Sequence, residues 1–325
     1  MNEDLGAVHL RTGQEMVIRL VQTPGHTYRE KILSYLAPTD EVWRWHLGLA
    51  FNEELDELET RFYLGMVDGK IVGNITTWEY RSLGILGHVF TTQEQRRKGV
   101  FKALLRVCTH DFRRRRGNCL ILGTPVDAPW NHIYKDQGFR TVAEGSEVMR
   151  LEITPDFQEK HFQPGKTYVR EPRWCDWPAV SILHSIRSGS CVRSVAHGIY
   201  GPFDYEDYFL YDMKRRLEGR CQTRALLTVN ESVVGYASLS FDERFDDEGA
   251  WLLDLFVHPS FGSQASSVLG SMRWPNEKVR CYSEKDATDK VTALSSQGFK
   301  QEKALLELRD KTGKTTDVLV MTRFG

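Results

Sequence analysis

Six cysteines in 325 residues form no Cys-x-x-Cys pair and stand at no His/Cys ligand spacing, so neither a zinc site nor a disulfide framework is expected. Charge of one sign is missing too. Forty-three Lys and Arg stand against 44 Asp and Glu, a formal net charge of −1, which denies a dedicated nucleic-acid binder its basic face. No apolar run reaches the ~20 residues that span a bilayer, and Met1-Asn2-Glu3-Asp4 opens without a basic region followed by an apolar core. These absences lead to the expectation of a cytoplasmic protein with reduced thiols, no metal, no membrane contact and a small-molecule partner. The length and a 41% hydrophobic content allow two ordinary domains.

What is present centres on Arg96-Arg97-Lys98-Gly99-Val100-Phe101, between an apolar run ending Val89-Phe90-Thr91 and an amphipathic stretch. The first N–H groups of a helix have no partner inside it and point outward at the positive end of its dipole, so strand, basic glycine turn and helix start together make an anion cradle. Gly99 permits close backbone approach, and the three cations raise the local concentration of a polyanion. Many basic turns open helices without binding anything, so the turn by itself leaves both readings open.

Upstream, a helix-rich start over about Tyr28 to Leu58 leads to a hairpin, Phe62 to Val67 and Lys70 to Trp78, around Asp68-Gly69. A strand at Ile85 to Thr91, a helix from Gly99 to about Arg116 stopped by Gly117, a strand Cys119 to Gly123, a short helix near Trp130 to Lys135 and closing strands near Arg140 to Val142 and Glu147 to Ile153 follow. The second half repeats this order: Arg224 to Val229, the turn Asn230-Glu231, Ser232 to Tyr236, Trp251 to Val257, and Ser296-Gln297-Gly298-Phe299 in the place of Asp136-Gln137-Gly138-Phe139. The chain reads as a tandem duplication joined near Pro155 to Gly165.

Arg96 and Gly99, followed by Tyr134-Lys135-Asp136-Gln137-Gly138-Phe139, resemble the Gln/Arg-x-x-Gly-x-Gly/Ala and Tyr-x-x-x-Gly-Phe motifs of the GNAT superfamily, the acyl-CoA-dependent N-acetyltransferases. Phe101 departs from the small residue of that pattern. The likeness covers about residues 15 to 153 well and Tyr168 onward in outline. It implies an α/β (α+β layered) fold of two tandem GNAT-like domains, each a mixed, mostly antiparallel sheet flanked by helices: a catalytic domain over 1–155, a linker over 156–166 and a degenerate copy over 167–325. In that copy Phe261-Gly262-Ser263-Gln264-Ala265-Ser266 replaces the basic turn, and Leu294 stands in the place of the tyrosine.

The resemblance implies acetyl-CoA as cosubstrate. The amides of Arg97 through Phe101, with Arg96, Lys98, Gly99 and Val100 among the turn residues, would hold the pyrophosphate; Phe90 and Thr91 would offer backbone groups to the pantetheine arm, and Asp127 would lean on the cofactor. Tyr134 would act as general acid toward the departing thiolate, the alternative being a core aromatic. An ammonium must lose a proton before it attacks a thioester. Glu79 and His132 are the candidates for that base, each more often a solvated side chain, with a water relay equally credible. His88 falls one step out of strand phase and reads as a satisfied core histidine more readily than as the base. The stretch Asp40 to His46 and Asn52 to Glu57 reads as acceptor-pocket wall or, preferably, as a charged face over core tryptophans. Arg113 to Arg116 suit the helix dipole better than nucleic acid. The expected activity is N-acetylation of a primary amine, small-molecule more readily than peptide. A noncatalytic acyl-CoA-binding or assembly protein, and a GNAT-fold enzyme acting on another acyl-CoA, are the alternatives.

Overall fold

A computed structural model describes residues 2–25, 27–36, 39–242, 250–309 and 315–325, the side chains of 305–309 excepted. Ala37 and Pro38, inside the helix-rich start, therefore lie outside the described residues. The chain divides into two compact units, Met1–Thr141 with Met149–Phe157, and Val142–Val148 with Gln158–Gly325. Among the described residues no helix is long and apolar enough to cross a membrane.

The first unit is built on strands β1 (Asn2–His9), β2 (Glu15–Gln22), β3 (Glu59–Val67), β4 (Lys70–Tyr80), β5 (Leu83–Thr91), β6 (Cys119–Gly123), β7 (Arg140–Thr141) and β8 (Val148–Glu152). Its helices are α1 (Arg29–Tyr35), α2 (Glu41–Asn52), α3 (Val100–Arg114) and α4 (Asn131–Asp136). The sheet order is β1-β2-β3-β4-β5-β6-β8-β7. Strands β1 to β5 pair antiparallel, and β5 and β6 run parallel. The β3–β4 hairpin forms where Asp68 and Gly69 both take positive φ (49° and 73°), the conformation a tight two-residue hairpin turn demands.

Strands β1 and β2 were not expected. The β1 strand is an edge, exposed along most of its length and so without a burial pattern, but β2 buries Met16, Ile18 and Leu20 in a legible alternation. A second correction concerns the end of α3. The left-handed residue is Arg116 (φ 62°), with Gly117 N–H closing back on the Phe112 carbonyl at 2.9 Å. Gly117 is needed for another reason: a Cβ there would run into the Phe112 ring.

Two features of this sheet position the site. The β5–β6 register ends at Ile85 and Ile121, while β5 continues to Thr91 and β6 to Gly123, so the two strands part toward their C-terminal ends. Helix α3 buries Val100, Leu104, Leu105, Cys108 and Phe112 on one face, and at Gly73 a Cβ would fall 2.6 Å from Val100 Cγ1. Glycine there lets the start of α3 lie directly on β4.

The second unit contains β9 (Thr167–Arg170), β10 (Val192–Ser194), β11 (Ile199–Tyr200), β12 (Cys221–Thr228), β13 (Val233–Phe241), β14 (Trp251–Val257), β15 (Val279–Glu284), β16 (Lys300–Arg309) and β17 (Thr315–Arg323). Helices α5 (Phe157–His161), α6 (Trp177–His184), α7 (Glu206–Leu217), α8 (Ala265–Gly270) and α9 (Thr288–Ser296) accompany them. The main sheet runs β16-β17-β15-β14-β13-β12-β9, antiparallel except for β14–β15, which pair parallel only over Trp251–Leu253 and Val279–Cys281. Each unit is thus a mostly antiparallel sheet with one short parallel pair, flanked by helices, as the sequence leads one to expect.

Candidate active site

The cradle lies at the parting of β5 and β6. After Thr92 a turn of 3-10 helix, Gln93–Gln95, leads to Arg96, whose Nε donates to the Thr91 carbonyl at 3.3 Å. Arg97 and Gly99 take left-handed conformations (φ 64° and 94°), and the first bond of the following helix is donated by Ala103 to the Gly99 carbonyl. The amides from Arg97 to Lys102 therefore precede the helical ladder at its positive end. Arg11 was missed by the sequence reading. It sits in the β1–β2 turn, donates its backbone N–H to the Lys98 carbonyl at 3.0 Å and lays its side chain along Gly99. No local pattern announces such a contact between residues 87 positions apart in sequence.

A cleft of about 630 Å³ opens here, lined by Arg11, Thr91, Arg96, Arg97, Phe101 and His132 among others. Lys98, Phe90, Asp127 and Tyr134 are not on its wall. Phe90 stacks its ring on Tyr35 at 5.2 Å, and Asp127 is exposed. The loop before α4 is held instead by Asn131, whose Nδ2 donates to the carbonyls of Pro125 and Val126 at 2.9 Å each. His132 is exposed, its Nδ1 lying 2.8 Å from the Pro129 carbonyl. Tyr134 is buried at 4% exposure, with its ring edge-on to Phe101 at 5.2 Å and to Phe139 at 5.7 Å. The aromatic that replaces a small residue in the cradle thus packs against the tyrosine.

Glu79 is displaced from the expected neighbourhood. It is paired with Gly84 at the closed end of the strands, whereas Gly73, six residues back along β4, faces Thr91; at ~3.3 Å per residue that separates Glu79 from the open end by ~20 Å. Glu79 is also no solvated side chain: it is 2% exposed, accepts from Thr77 Oγ1 at 2.6 Å and pairs with Arg115 at 2.6 Å. Arg115 also holds Asp111 at 2.9 Å, to which Tyr63 donates at 2.8 Å and Arg114 at 2.9 Å. Burial pushes the Asp111 pKa up, but the bonds from Arg114, Tyr63 and Arg115 more than offset it, and the net shift is downward. Arg114 and Arg115 thus serve a structural ion-pair network, beyond any dipole effect.

His88 overturns the phase argument. The β4–β5 register slips so that Ile75 alone stands opposite His88 and Val89, a bulge in which His88 takes φ 47°. Alternation fails at a bulge, and the His88 ring lies on the side of α2, 4.6 Å from Trp43 and 5.1 Å from Trp78. Asn74 Nδ2 donates to the His88 carbonyl at 2.8 Å. The ring's Nε2 is buried without a hydrogen-bond partner, so the histidine is a core one but not a satisfied one. Burial lowers its pKa to about 4; burial, then His88, lowers that of His46 to about 3. Both imidazoles are neutral at pH 7.

No group of three or more metal-ligating side chains is assembled among the described residues. The class of the protein follows from residues 39–155, which match the family model described as an acetyltransferase (GNAT) domain: it is an acyltransferase. Over those residues the chain carries a GNAT acetyltransferase domain, a kind of domain whose general reaction is acetyl-CoA-dependent N-acetylation. Similar solved structures include a ribosomal-protein-alanine N-acetyltransferase from Brucella melitensis (19% identity, 49% of this chain, 99% of that one, TM-score 0.40). An N-acetyltransferase from Staphylococcus aureus Mu50 (13%, 49%, 99%, 0.39) and a phosphinothricin acetyltransferase from Sinorhizobium meliloti in complex with AcCoA (15%, 48%, 87%, 0.39) are comparable. No curated protein matches the chain by sequence.

Proposed function

We propose that the first unit transfers an acetyl group from acetyl-CoA to a primary amine, and that the second is a degenerate GNAT-like copy, with 1–155 as catalytic domain, 156–166 as linker and 167–325 as the copy. The observation that carries this reading is the convergence of unladdered amides, Arg11, Arg96 and Arg97 on one cleft at the parted ends of β5 and β6. These residues fit a polyanion: free amides at a helix start, a left-handed Gly99 and three cations with no acid on the same turn.

Acetyl-CoA supplies the acyl group as a thioester. The amides of Arg97 through Phe101 hold its pyrophosphate, Arg96, Arg97 and Arg11 neutralise the phosphates, and the backbone of Phe90 and Thr91 guides the arm between the parted strands. Tyr134, buttressed by Phe101, protonates the leaving thiolate. The acceptor is a small-molecule amine. His132 at the cleft wall remains a candidate to relay its proton, while Glu79 has no part in the chemistry.

Calorimetry with acetyl-CoA and a thiol-release screen over primary amines test this reading. Replacing Arg96 and Arg97 together by Ala weakens acetyl-CoA binding ~10- to 100-fold at low salt, and less at 1 M salt, because both side chains are exposed and screened. Unchanged affinity removes the cradle; binding without turnover across the screen favours the noncatalytic acyl-CoA-binding protein.

A further inference from the structure

His88 has no role in the reading above, yet three independent features mark it. It is a non-glycine residue in the left-handed region, at a bulge beside the parted strands. Its Nε2 is buried with no partner, which a native structure rarely tolerates without use. Its ring packs against those of Trp43 and Trp78, and two residues further along the strand Phe90 stacks on Tyr35. Among the described residues, ionisable groups on the packed elements include His46 on α2 and, beyond Phe90, Tyr35 on α1; Asn74, Thr76 and Trp78 on the facing side of β4 do not ionise. Burial raises Tyr35 and is the largest influence lowering both histidines.

Resting on the acyl-transfer reading, we propose that His88 receives the acceptor's nitrogen as the base, and that the acceptor is a primary amine with a flat, uncharged body. Rings and neutral imidazoles offer such a body contact, and they make a poorer setting for a second ammonium than for an apolar group. The acceptor enters as the free amine, its ammonium proton having gone to water. As its lone pair forms the C–N bond to the acyl carbon, the now acidic N–H passes its proton to the imidazole. The C–S bond then breaks, the thiolate takes the Tyr134 proton, and both side chains re-equilibrate with water, releasing one net proton.

The test measures thiol release from acetyl-CoA with phenethylamine and with spermidine. Wild type turns over phenethylamine faster. His88→Asn, which tolerates the same φ, lowers kcat about 100-fold with acetyl-CoA affinity unchanged, and imidazole added to His88→Gly restores part of the rate. Equal kcat in His88→Asn, or no imidazole rescue, overturns the role of His88; spermidine as the better substrate overturns the acceptor class. Acetyl-CoA bound with neither amine turned over also overturns this inference, whereas failure to bind acetyl-CoA overturns the acyl-transfer reading itself.

The second unit carries an independent inference. Beyond Leu253 and Cys281 its parallel strands also part, but the chain's own segment 190–196 bridges the gap. Asp254 on β14 accepts from Ser194 Oγ at 2.6 Å and from the amides of Val195 and Ala196 at 2.8 and 3.1 Å. Glu284 on β15 accepts from Val192 N–H at 2.7 Å and from Ser190 Oγ. The cavity left there is about 300 Å³ and its wall includes Glu284, Asp286 and Asp289 against Lys290. At the turn Pro259–Gln264, where the first unit has its cradle, the Asp289 carboxylate lies so close over Gly262 that a Cβ would collide with it. An internal carboxylate occupies the anion position.

We infer that the second unit takes up no acyl-CoA. Calorimetry of the full chain with acetyl-CoA is expected to give one site per chain, weakened ~10- to 100-fold at low salt by the Arg96→Ala, Arg97→Ala double substitution. Two sites, or one site that survives that substitution with unchanged affinity, overturns the inference. No binding at all agrees with it and overturns only the reading of the first unit.

Discussion

Gly73→Ala is the substitution that most directly couples packing to the cradle. A Cβ at residue 73 falls 2.6 Å from Val100 Cγ1, 3.0 Å from Leu104 Cδ1 and 3.2 Å from the Phe90 carbonyl oxygen. Carbon atoms in contact prefer ~3.5–4.0 Å, so the first turn of α3 must retreat by ~1 Å, and the Phe90 carbonyl blocks escape toward β5. Overpacking of this kind costs ~1–3 kcal/mol. The first turn of α3 carries the cradle amides, and a ~1 Å misplacement of a positioning group costs ~100-fold in rate. Urea unfolding is expected to show the stability loss, and acetyl-CoA turnover the larger functional one. Gly65→Ala is the control: its Cβ meets the Met16 sulfur at 2.7 Å and Leu104 no closer than 3.6 Å, and a thioether swings aside. Gly73→Ala with wild-type stability and turnover, or Gly65→Ala with the greater loss of turnover, refutes the reasoning.

Tyr134→Phe keeps the ring contacts with Phe101 and Phe139 and should lower kcat ~100-fold with little change in acetyl-CoA affinity; equal turnover removes its role as acid. Arg115→Met leaves Glu79 buried without its cation and should cost ~3–5 kcal/mol in urea unfolding, with a loss below ~1 kcal/mol counting against the network. Asp111 is depressed relative to the unfolded chain, so its contribution is present above pH ~4 and fades as pH falls below that. The histidines act in a higher window. Burial lowers His46 and His184 to about 3 and His88, His161 and His258 to about 4. The unfolded chain therefore binds more protons below pH ~6.5, and stability should drop from there toward pH 4, by up to ~1.4 kcal/mol per pH unit for each of the buried His46 and His184. A Tm flat between pH 6.5 and 4.5 would contradict this.

Much of the first unit was readable because its signals are local. Asp68-Gly69 between β-rich runs makes a hairpin whatever surrounds it, and the apolar spacing from Val100 to Cys108 makes a helix face. The alternation of Met16, Ile18 and Leu20 was equally local and was overlooked. His88 shows the limit of period-two reasoning: one extra residue in β5 changes the face, and nothing in Gly87-His88-Val89 says that the slip occurs there. Glu79 failed for a different reason, since its burial depends on Arg115, 36 residues away.

The sequence by itself determined the hairpin around Asp68-Gly69, the strand, helix and strand that follow it, the basic glycine turn before α3 and the Tyr134, Gly138 and Phe139 pattern, because backbone conformation and helix-start chemistry follow from neighbouring residues. Only the tertiary structure decided that Arg11 joins the cradle, that Phe101 buttresses Tyr134, that Glu79 belongs to an ion-pair network at the closed end, and that Asp289 lies over the corresponding turn of the second unit. Those contacts depend on strand register and on the docking of distant segments, energies shared among residues that no local window contains.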